Sequence, residues 1–259
     1  MAGAPMRVLL TNDDGFWSDG LQALVEALEP LAELWVVAPD REQSAASHAI
    51  SLARPLRLHR LAERRYAVDG TPTDCVYLAI NHLLKDRPPD VLFSGINHGP
   101  NLADDVTYSG TVAGAVEGAI LGVRFCAAFS LVGKGGDGRF AGAAEFARAL
   151  LEAVAQRRPE RPFLLNVNVP VELAEKRFEV TRLGRRGYSA EVTENVDPRG
   201  RKYYWIGGPE QVHQDIPGSD CVAVLDRRVI SVTPLHLDWT SPAGLDALGS
   251  WQLSGYAKG

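Results

Sequence analysis

Up to Pro170 the chain is built from short apolar runs that each stop at a polar or glycine-containing turn, with helically spaced stretches between them. That alternation constrains the fold more than any other feature. Met6-Arg7-Val8-Leu9-Leu10-Thr11 runs into Asn12-Asp13-Asp14-Gly15, Leu34-Trp35-Val36-Val37-Ala38 into Pro39-Asp40, and Val91-Leu92-Phe93-Ser94 into Gly95-Ile96-Asn97. Phe125 to Val132 and Phe163 to Val169 are further runs of this kind. Apolar runs this short read as buried parallel strands. After the first run, Leu21, Leu24, Val25 and Leu28 fall on one helical face, with Ser18 in position to cap it. Thr71-Pro72-Thr73-Asp74 has a cap hydroxyl, a proline at the first helical position and a carboxylate at the third, which predicts a helix from Cys75 to Leu84. Ala141 to Ala155, rich in alanine and leucine, predicts another. The alternation implies an α/β fold of Rossmann-like type: a mostly parallel sheet with helices on both faces.

Beyond Pro170 the pattern changes. β-leaning runs at Phe178 to Thr181, Tyr203 to Ile206, Val222 to Leu225 and Val229 to Thr233 are separated by charged, glycine-containing turns, and they read as hairpins. Tyr203-Tyr204-Trp205-Ile206 is too apolar to leave open on a lone hairpin, so a subunit contact is expected to cover it. The expectation is one domain over residues 1–259, with a core of about 1–170 and a C-terminal hairpin region of about 171–259 used in oligomerisation. No internal repeat or low-complexity segment interrupts it.

A net charge of -5 gives no basic excess for a polymeric nucleic acid to meet. No apolar run approaches the roughly twenty residues that span a bilayer, and Met1 to Pro5 lacks the charged and apolar regions of a signal peptide. Cys75, Cys126 and Cys221 are scattered, without the spacing of a disulfide framework or a zinc site. A cytoplasmic protein without membrane or nucleic-acid partners is the expectation.

Four polar segments stand at strand ends or loops, where open α/β sheets bind ligands. In Asn12-Asp13-Asp14-Gly15 two adjacent carboxylates repel each other unless a cation or water screens them; a solvated turn with a helix cap is the alternative. Pro39 to His48 is a polar loop whose Ser44 suits a hard cation or a phosphate, or simply caps the loop. Ser94-Gly95-Ile96-Asn97-His98-Gly99-Pro100-Asn101 offers two asparagine amides, suited to magnesium, calcium or manganese through oxygen and to phosphate through nitrogen; left-handed turn asparagines are the alternative. His98 reads either as an acid for a leaving oxygen or as an ordinary turn residue. Tyr108-Ser109-Gly110-Thr111 leads into a helix of small residues and offers N–H groups, two hydroxyls and a favourable dipole to an anion. Gly133 to Gly138 lacks the spacing of a P-loop, and no GxGxxG follows the first strand, so a dinucleotide site is disfavoured.

Thr11-Asn12-Asp13-Asp14-Gly15, Ala38-Pro39-Asp40 followed by Gln43-Ser44-Ala45, Gly70-Thr71-Pro72-Thr73-Asp74, Ser94-Gly95-Ile96-Asn97, Tyr108-Ser109-Gly110-Thr111 and Ser231 to His236, taken in order, closely resemble the SurE family, the survival-protein 5′-nucleotidases. The resemblance covers nearly the whole chain. It implies hydrolysis of nucleoside 5′-monophosphates, with 3′-nucleotides and short polyphosphate as further substrates. By resemblance Asp13, Asp14, Ser44 and Asn97 hold one divalent cation, magnesium or manganese, with Asp13 and Asp14 as the catalytic pair. Asn101, Ser109, Gly110 and Thr111 line the phosphate pocket, and Asn12 is counted with them. A homodimer or homotetramer formed through C-terminal hairpins is also implied. Phe16-Trp17 bring bulk beside the acidic turn and bear on access to the nucleotide.

Three other readings are weighed against this one. A haloacid-dehalogenase-type phosphatase needs aspartates one residue apart, whereas Asp13 and Asp14 are adjacent. A receiver-type regulatory module is about half this length and needs a phospho-accepting aspartate where this chain has Ser94 and Asn97. A nucleotide sensor that binds without turnover leaves the same sequence signature. If the chain is a hydrolase, water attacks phosphorus in line while the cation polarises the phosphoryl group.

Overall fold

The computed structural model describes residues 5–134, 138–157, 159–188, 192–206 and 211–251. Part of the glycine-rich run at 133–138 therefore lies outside the described residues. In chain order the elements are β1 (Arg7–Thr11), α1 (Asp19–Leu28), β2 (Glu33–Pro39), β3 (Leu58–Ala62), β4 (Arg65–Val68), α2 (Pro72–Leu78), β5 (Val91–Asn97), α3 (Gly110–Ile120), β6 (Phe125–Val132), α4 (Ala141–Gln156) and β7 (Phe163–Pro170). They continue with β8 (Phe178–Val180), β9 (Arg186–Tyr188), β10 (Val192–Val196), β11 (Lys202–Ile206), β12 (Gln211–His213), β13 (Ile230–Pro234) and α5 (Pro242–Gly249).

Nine strands form the main sheet in the order β3-β4-β2-β1-β5-β6-β7-β13-β8. From β4 through β7 every neighbouring pair is parallel. The chain winds from β1 outward through β2 to β4, then returns to the other side of β1 to lay down β5, β6 and β7. The strand order thus reverses between β1 and β5, and the crevice outside the carboxyl ends of those strands is where such sheets take ligands. Alternate strand residues enter opposite layers. Val8, Leu10, Val36 and Phe93 pack under α1 and α4 with Leu21, Leu24 and Ala147. Leu9, Val37 and Leu92 pack under α2 and α3 with Val76, Val112 and Ala115.

The caps read from sequence are formed. Ser18 accepts from the Leu21 N–H, and Thr71 and Asp74 make a reciprocal capping box. The helix they begin is regular only to Leu78 and finishes in a wider π turn over Ala79–Leu83. The three cysteines are free, buried thiols.

The C-terminal expectations need correction at three places, the first being Phe178–Val180, which lies at the edge of the main sheet and not in a hairpin. Val222–Asp226 is a helical turn, not a strand. Ile230–Pro234 does not make a local hairpin; it joins the main sheet antiparallel to β7 and parallel to β8. β10 and β11 do form a hairpin, and β9 pairs antiparallel with β12. The β3–β4 hairpin carries no apolar alternation that would have announced it.

Candidate active site at the strand reversal

The turn after β1 is braced from within. Asn12 is fully buried, and its amide nitrogen donates to the Gly15 carbonyl at 2.9 Å and to Ser18 Oγ at 2.7 Å. Gly15 has φ +98, the left-handed region that glycine enters without strain. The Phe16 N–H donates to the Pro39 carbonyl at 2.8 Å, and the Gln43 N–H to the Asp13 carbonyl at 2.7 Å, so the turn is tied to the end of β2 and the polar loop beyond it.

Held this way, the two aspartates face different elements. Asp13 is only 4% exposed and accepts from the hydroxyl and backbone N–H of Thr111 at the start of α3. Asp14 Oδ2 accepts from the His98 N–H at 3.2 Å, just past β5. Burial, above all, pushes both carboxyls up to about 6. For Asp13 the Thr111 hydrogen bond works against burial and the neighbouring Asp14 works with it. For Asp14 the His98 N–H lowers the value, Glu42 raises it and Arg139 lowers it. Neither carboxylate has a salt-bridge partner among the described residues.

Asp14, Ser44 and Asn97 line one cleft of about 590 Å³, together with Trp17, Arg41 and His98. Ser44 Oγ donates to Glu42 Oε1 at 2.7 Å. Asn97 Nδ2 donates to the Gly99 carbonyl at 2.9 Å, leaving Oδ1 without a hydrogen bond among the described residues. Burial lowers the pKa of His98, as does Arg139; its ring lies 4.8 Å from that of Phe140. A larger groove of 910 Å³ between α1 and α4 shares Asp19 with this cleft but contains none of the expected site residues.

Behind the cleft, Ser109 Oγ caps α3 by accepting from the Val112 N–H at 3.0 Å. Gly110 lets the helix close onto Asp13: a Cβ there would sit 2.9 Å from Asp13 Cβ. Asn101 is buried and held at both ends, with its amide nitrogen donating to Ser130 Oγ at 2.8 Å and its N–H donating to Asn168 Oδ1 at 2.9 Å. Its carbonyl accepts from Asn166 at 2.7 Å and Asn168 at 3.0 Å.

Asp13, Gly110 and Thr111 thus meet directly, and Asp14, Ser44 and Asn97 share the cleft. Asn12, counted with the phosphate-binding residues, spends its amide nitrogen on the turn; in this arrangement it is a brace. Ser130, Asn166, Asn168 and Asp220 were not anticipated. Asp220, fully buried, accepts from the N–H groups of Ala103 at 2.8 Å and Gly184 at 2.7 Å and so fixes the loop after Asn101. The available signal was the pair of amides in the buried strand Leu164-Leu165-Asn166-Val167-Asn168-Val169.

Two carboxylates, a hydroxyl and an amide oxygen are hard oxygen donors of the kind that hold magnesium or manganese. Among the described residues no cluster of three His, Cys, Asp or Glu side chains has metal-binding spacing, so any cation here depends on the serine and asparagine oxygens. Asp13 and Asp14, hydrogen-bonded but without a salt-bridge partner among the described residues, fit a positive charge beside them.

A family model described as Survival protein SurE matches residues 8–190. A 5′-nucleotidase SurE of Myxococcus xanthus (strain DK1622) is 58% identical over 258 residues, covering 100% of this chain and 98% of the relative. A 5′-nucleotidase SurE of Anaeromyxobacter dehalogenans (strain 2CP-C) is 59% identical over 254 residues, covering 98% of each. The crystal structure of Sure protein from Aquifex aeolicus superposes with a TM-score of 0.79 at 39% identity, covering 93% of this chain and 98% of that one.

Proposed function

The chain belongs to the survival protein SurE family, and from that premise we propose that it is a 5′-nucleotidase: a metal-dependent phosphohydrolase that releases phosphate from nucleoside 5′-monophosphates. The observation that carries this reading is the pair of adjacent carboxylates at the strand reversal, Asp14 lining one cleft with Ser44 and Asn97 and Asp13 set against the start of α3, both pushed up to about 6. Asp13, Asp14, Ser44 and Asn97 would hold one magnesium or manganese ion. Such a cation, when bound, neutralises the carboxylates and polarises a phosphoryl oxygen.

The chain's own groups do the rest. The N-terminus of α3, with Ser109, Gly110 and Thr111, receives the phosphate chiefly through the helix dipole, since the Thr111 N–H and hydroxyl are given to Asp13 and the Val112 N–H to Ser109 Oγ. Asn101 lines the same pocket, and Asn12 keeps the acidic turn in shape. Asp14, with Oδ2 taken by the His98 N–H, has Oδ1 left to orient the attacking water in line with the ester oxygen. The same phosphate pocket would admit 3′-nucleotides and short polyphosphate.

Quaternary structure and compartment belong to the same proposal. Tyr203, Tyr204, Trp205 and Ile206 on β11 are 43, 56, 67 and 90% exposed, which suits burial between copies in a homodimer or homotetramer. The β9 to β12 segment serves that contact within a single domain, since β8 and β13 belong to the main sheet. No helix of the described residues is long and apolar enough to cross a membrane, and with three free thiols and a nucleotide substrate we assign the protein to the cytoplasm.

Phosphate release from 5′- and 3′-nucleoside monophosphates, in EDTA and with added magnesium or manganese, tests the reading against Asp13→Ala. Cation-dependent release that Asp13→Ala loses is the expected result. Cation binding without release would instead make the protein a nucleotide sensor.

A further inference from the structure

The cleft has an aromatic wall that hydrolysis of a phosphate ester does not require. Trp17 lines it beside Asp14, Ser44 and Asn97, yet 72% of the residue is exposed. An indole left this open keeps a large apolar face in water unless a ligand covers it. The chain beneath it is fixed. Phe16 is buried and meets the indole edge-on, with ring centroids 4.9 Å apart and planes at 78°. The Phe16 N–H donates to the Pro39 carbonyl, and the Phe16 carbonyl accepts from Gln22 Nε2, both at 2.8 Å. Ser18, the next residue, caps α1. Trp17 is therefore a large aromatic surface on a pinned turn, three residues after Asp14.

We propose that Trp17 is the specificity-determining residue of this site: its indole stacks on the nucleobase of the nucleoside monophosphate whose phosphate is received at the start of α3, beside the cation that Asp13 and Asp14 would hold. The inference rests on the nucleotidase reading above and goes beyond it by naming what recognises the base. Stacking tolerates every base because each has a π face. The larger purine ring covers more of the indole, so purine nucleotides are favoured over pyrimidine ones.

The test compares AMP, CMP and the base-free ester glycerol 2-phosphate in wild type, Trp17→Ala and Trp17→Phe, with adenosine titrated against tryptophan fluorescence as a readout independent of turnover. Trp17→Ala is expected to lower the ratio of kcat/KM for AMP over that for glycerol 2-phosphate about tenfold, within the range that losing one base–aromatic stack produces. The loss falls mainly on KM, and Trp17→Phe, which keeps a ring, recovers most of it. Adenosine is expected to quench wild-type emission, and this quench disappears in Trp17→Phe. An unchanged ratio in Trp17→Ala, or a quench that persists in Trp17→Phe, overturns the assignment of Trp17 while leaving nucleotide hydrolysis intact. A wild-type protein that hydrolyses glycerol 2-phosphate but no nucleotide overturns the nucleotidase reading, and the assignment of Trp17 with it.

Discussion

Thr111 donates its hydroxyl to the carboxylate of Asp13 across 98 positions of sequence. This contact joins the start of α3 to the end of β1 and is a principal opponent of the burial that raises the Asp13 pKa. Thr111→Val keeps the shape and removes the donor. A hydrogen bond to a charged group is worth about 1.5–3 kcal/mol, so kcat/KM should fall roughly 10- to 150-fold. Thr111→Ser, which retains the donor, should recover most of the activity. Steady-state kinetics on the two variants, with circular dichroism to confirm folding, checks the expectation.

Asp13 and Asp14 titrate near 6 in the fold against an ordinary 3.8. The folded protein therefore binds protons more tightly than the unfolded chain. Stability from these groups is complete below about 4 and is lost as pH rises through about 6. In EDTA the protein should melt at a higher temperature at pH 5 than at pH 7.5, and each kcal/mol is worth about 2–4 °C for a chain of this size. Saturating magnesium or manganese should flatten that slope, because the cation takes the place of the protons. Asp13→Asn, which has no charge to bury, should lose part of it without any cation. Thermal melts across pH, with EDTA and with metal, decide the matter.

The parts of the fold that could be read in advance are those where sequence-local forces agree with the tertiary structure. β1, β2, β5, β6 and β7 are apolar runs stopped by turn residues, and they are central, buried strands. β3 was not legible because Leu58-His59-Arg60-Leu61-Ala62 is an edge strand with four of its residues exposed, so no burial pattern marks it. Val222 to Leu225 leaned towards strand through its valines; wound as a turn, this stretch packs against β7 and β13 and buries Val224 with Leu102, Ala103 and Cys221. β13 pairs with β7 between residues 63 to 69 positions apart, a contact no local pattern encodes. At the site, Asp13, Asp14 and Asn97 stood out because polar groups at strand ends break an apolar run, whereas Ser44, in a polar loop, joined them only through the family resemblance. Asn166 and Asn168 sit inside such a run and read as strand; their purpose appears only when Asn101 arrives from another loop.

Gly110 and Gly142 are both helical glycines, and they should respond oppositely to alanine. A Cβ at Gly110 would lie 2.9 Å from Asp13 Cβ and 3.0 Å from its Oδ2, whereas one at Gly142 meets nothing within 4 Å. Gly110→Ala must move the carboxylate or the helix start, and a loss of activity of at least tenfold is expected, on the order of a 1 Å misplacement. Gly142→Ala should stabilise the protein by about 0.5–1 kcal/mol with activity unchanged. Parallel melts and kinetics on the two variants separate the effect at the site from the helix effect.

The β10–β11 hairpin is expected to be held by another copy of the chain. Its register sets Trp205 opposite Thr193 and Tyr204 opposite Glu194. Alternation then puts Tyr203 and Trp205 on one face and Tyr204 and Ile206 on the other. All four are exposed, and a two-stranded ribbon is marginal in water by itself. Placing a charge on each face, in the double variant Tyr204→Glu/Trp205→Glu, costs burial on both sides at once. Sedimentation velocity should show wild type as a dimer or tetramer and the double variant as monomer. The acidic turn and α3 lie in the main sheet's own crevice, far along the chain from β11, so the monomer should still bind magnesium or manganese by calorimetry. A wild-type monomer would remove the reason for the exposed hairpin and sink the oligomer.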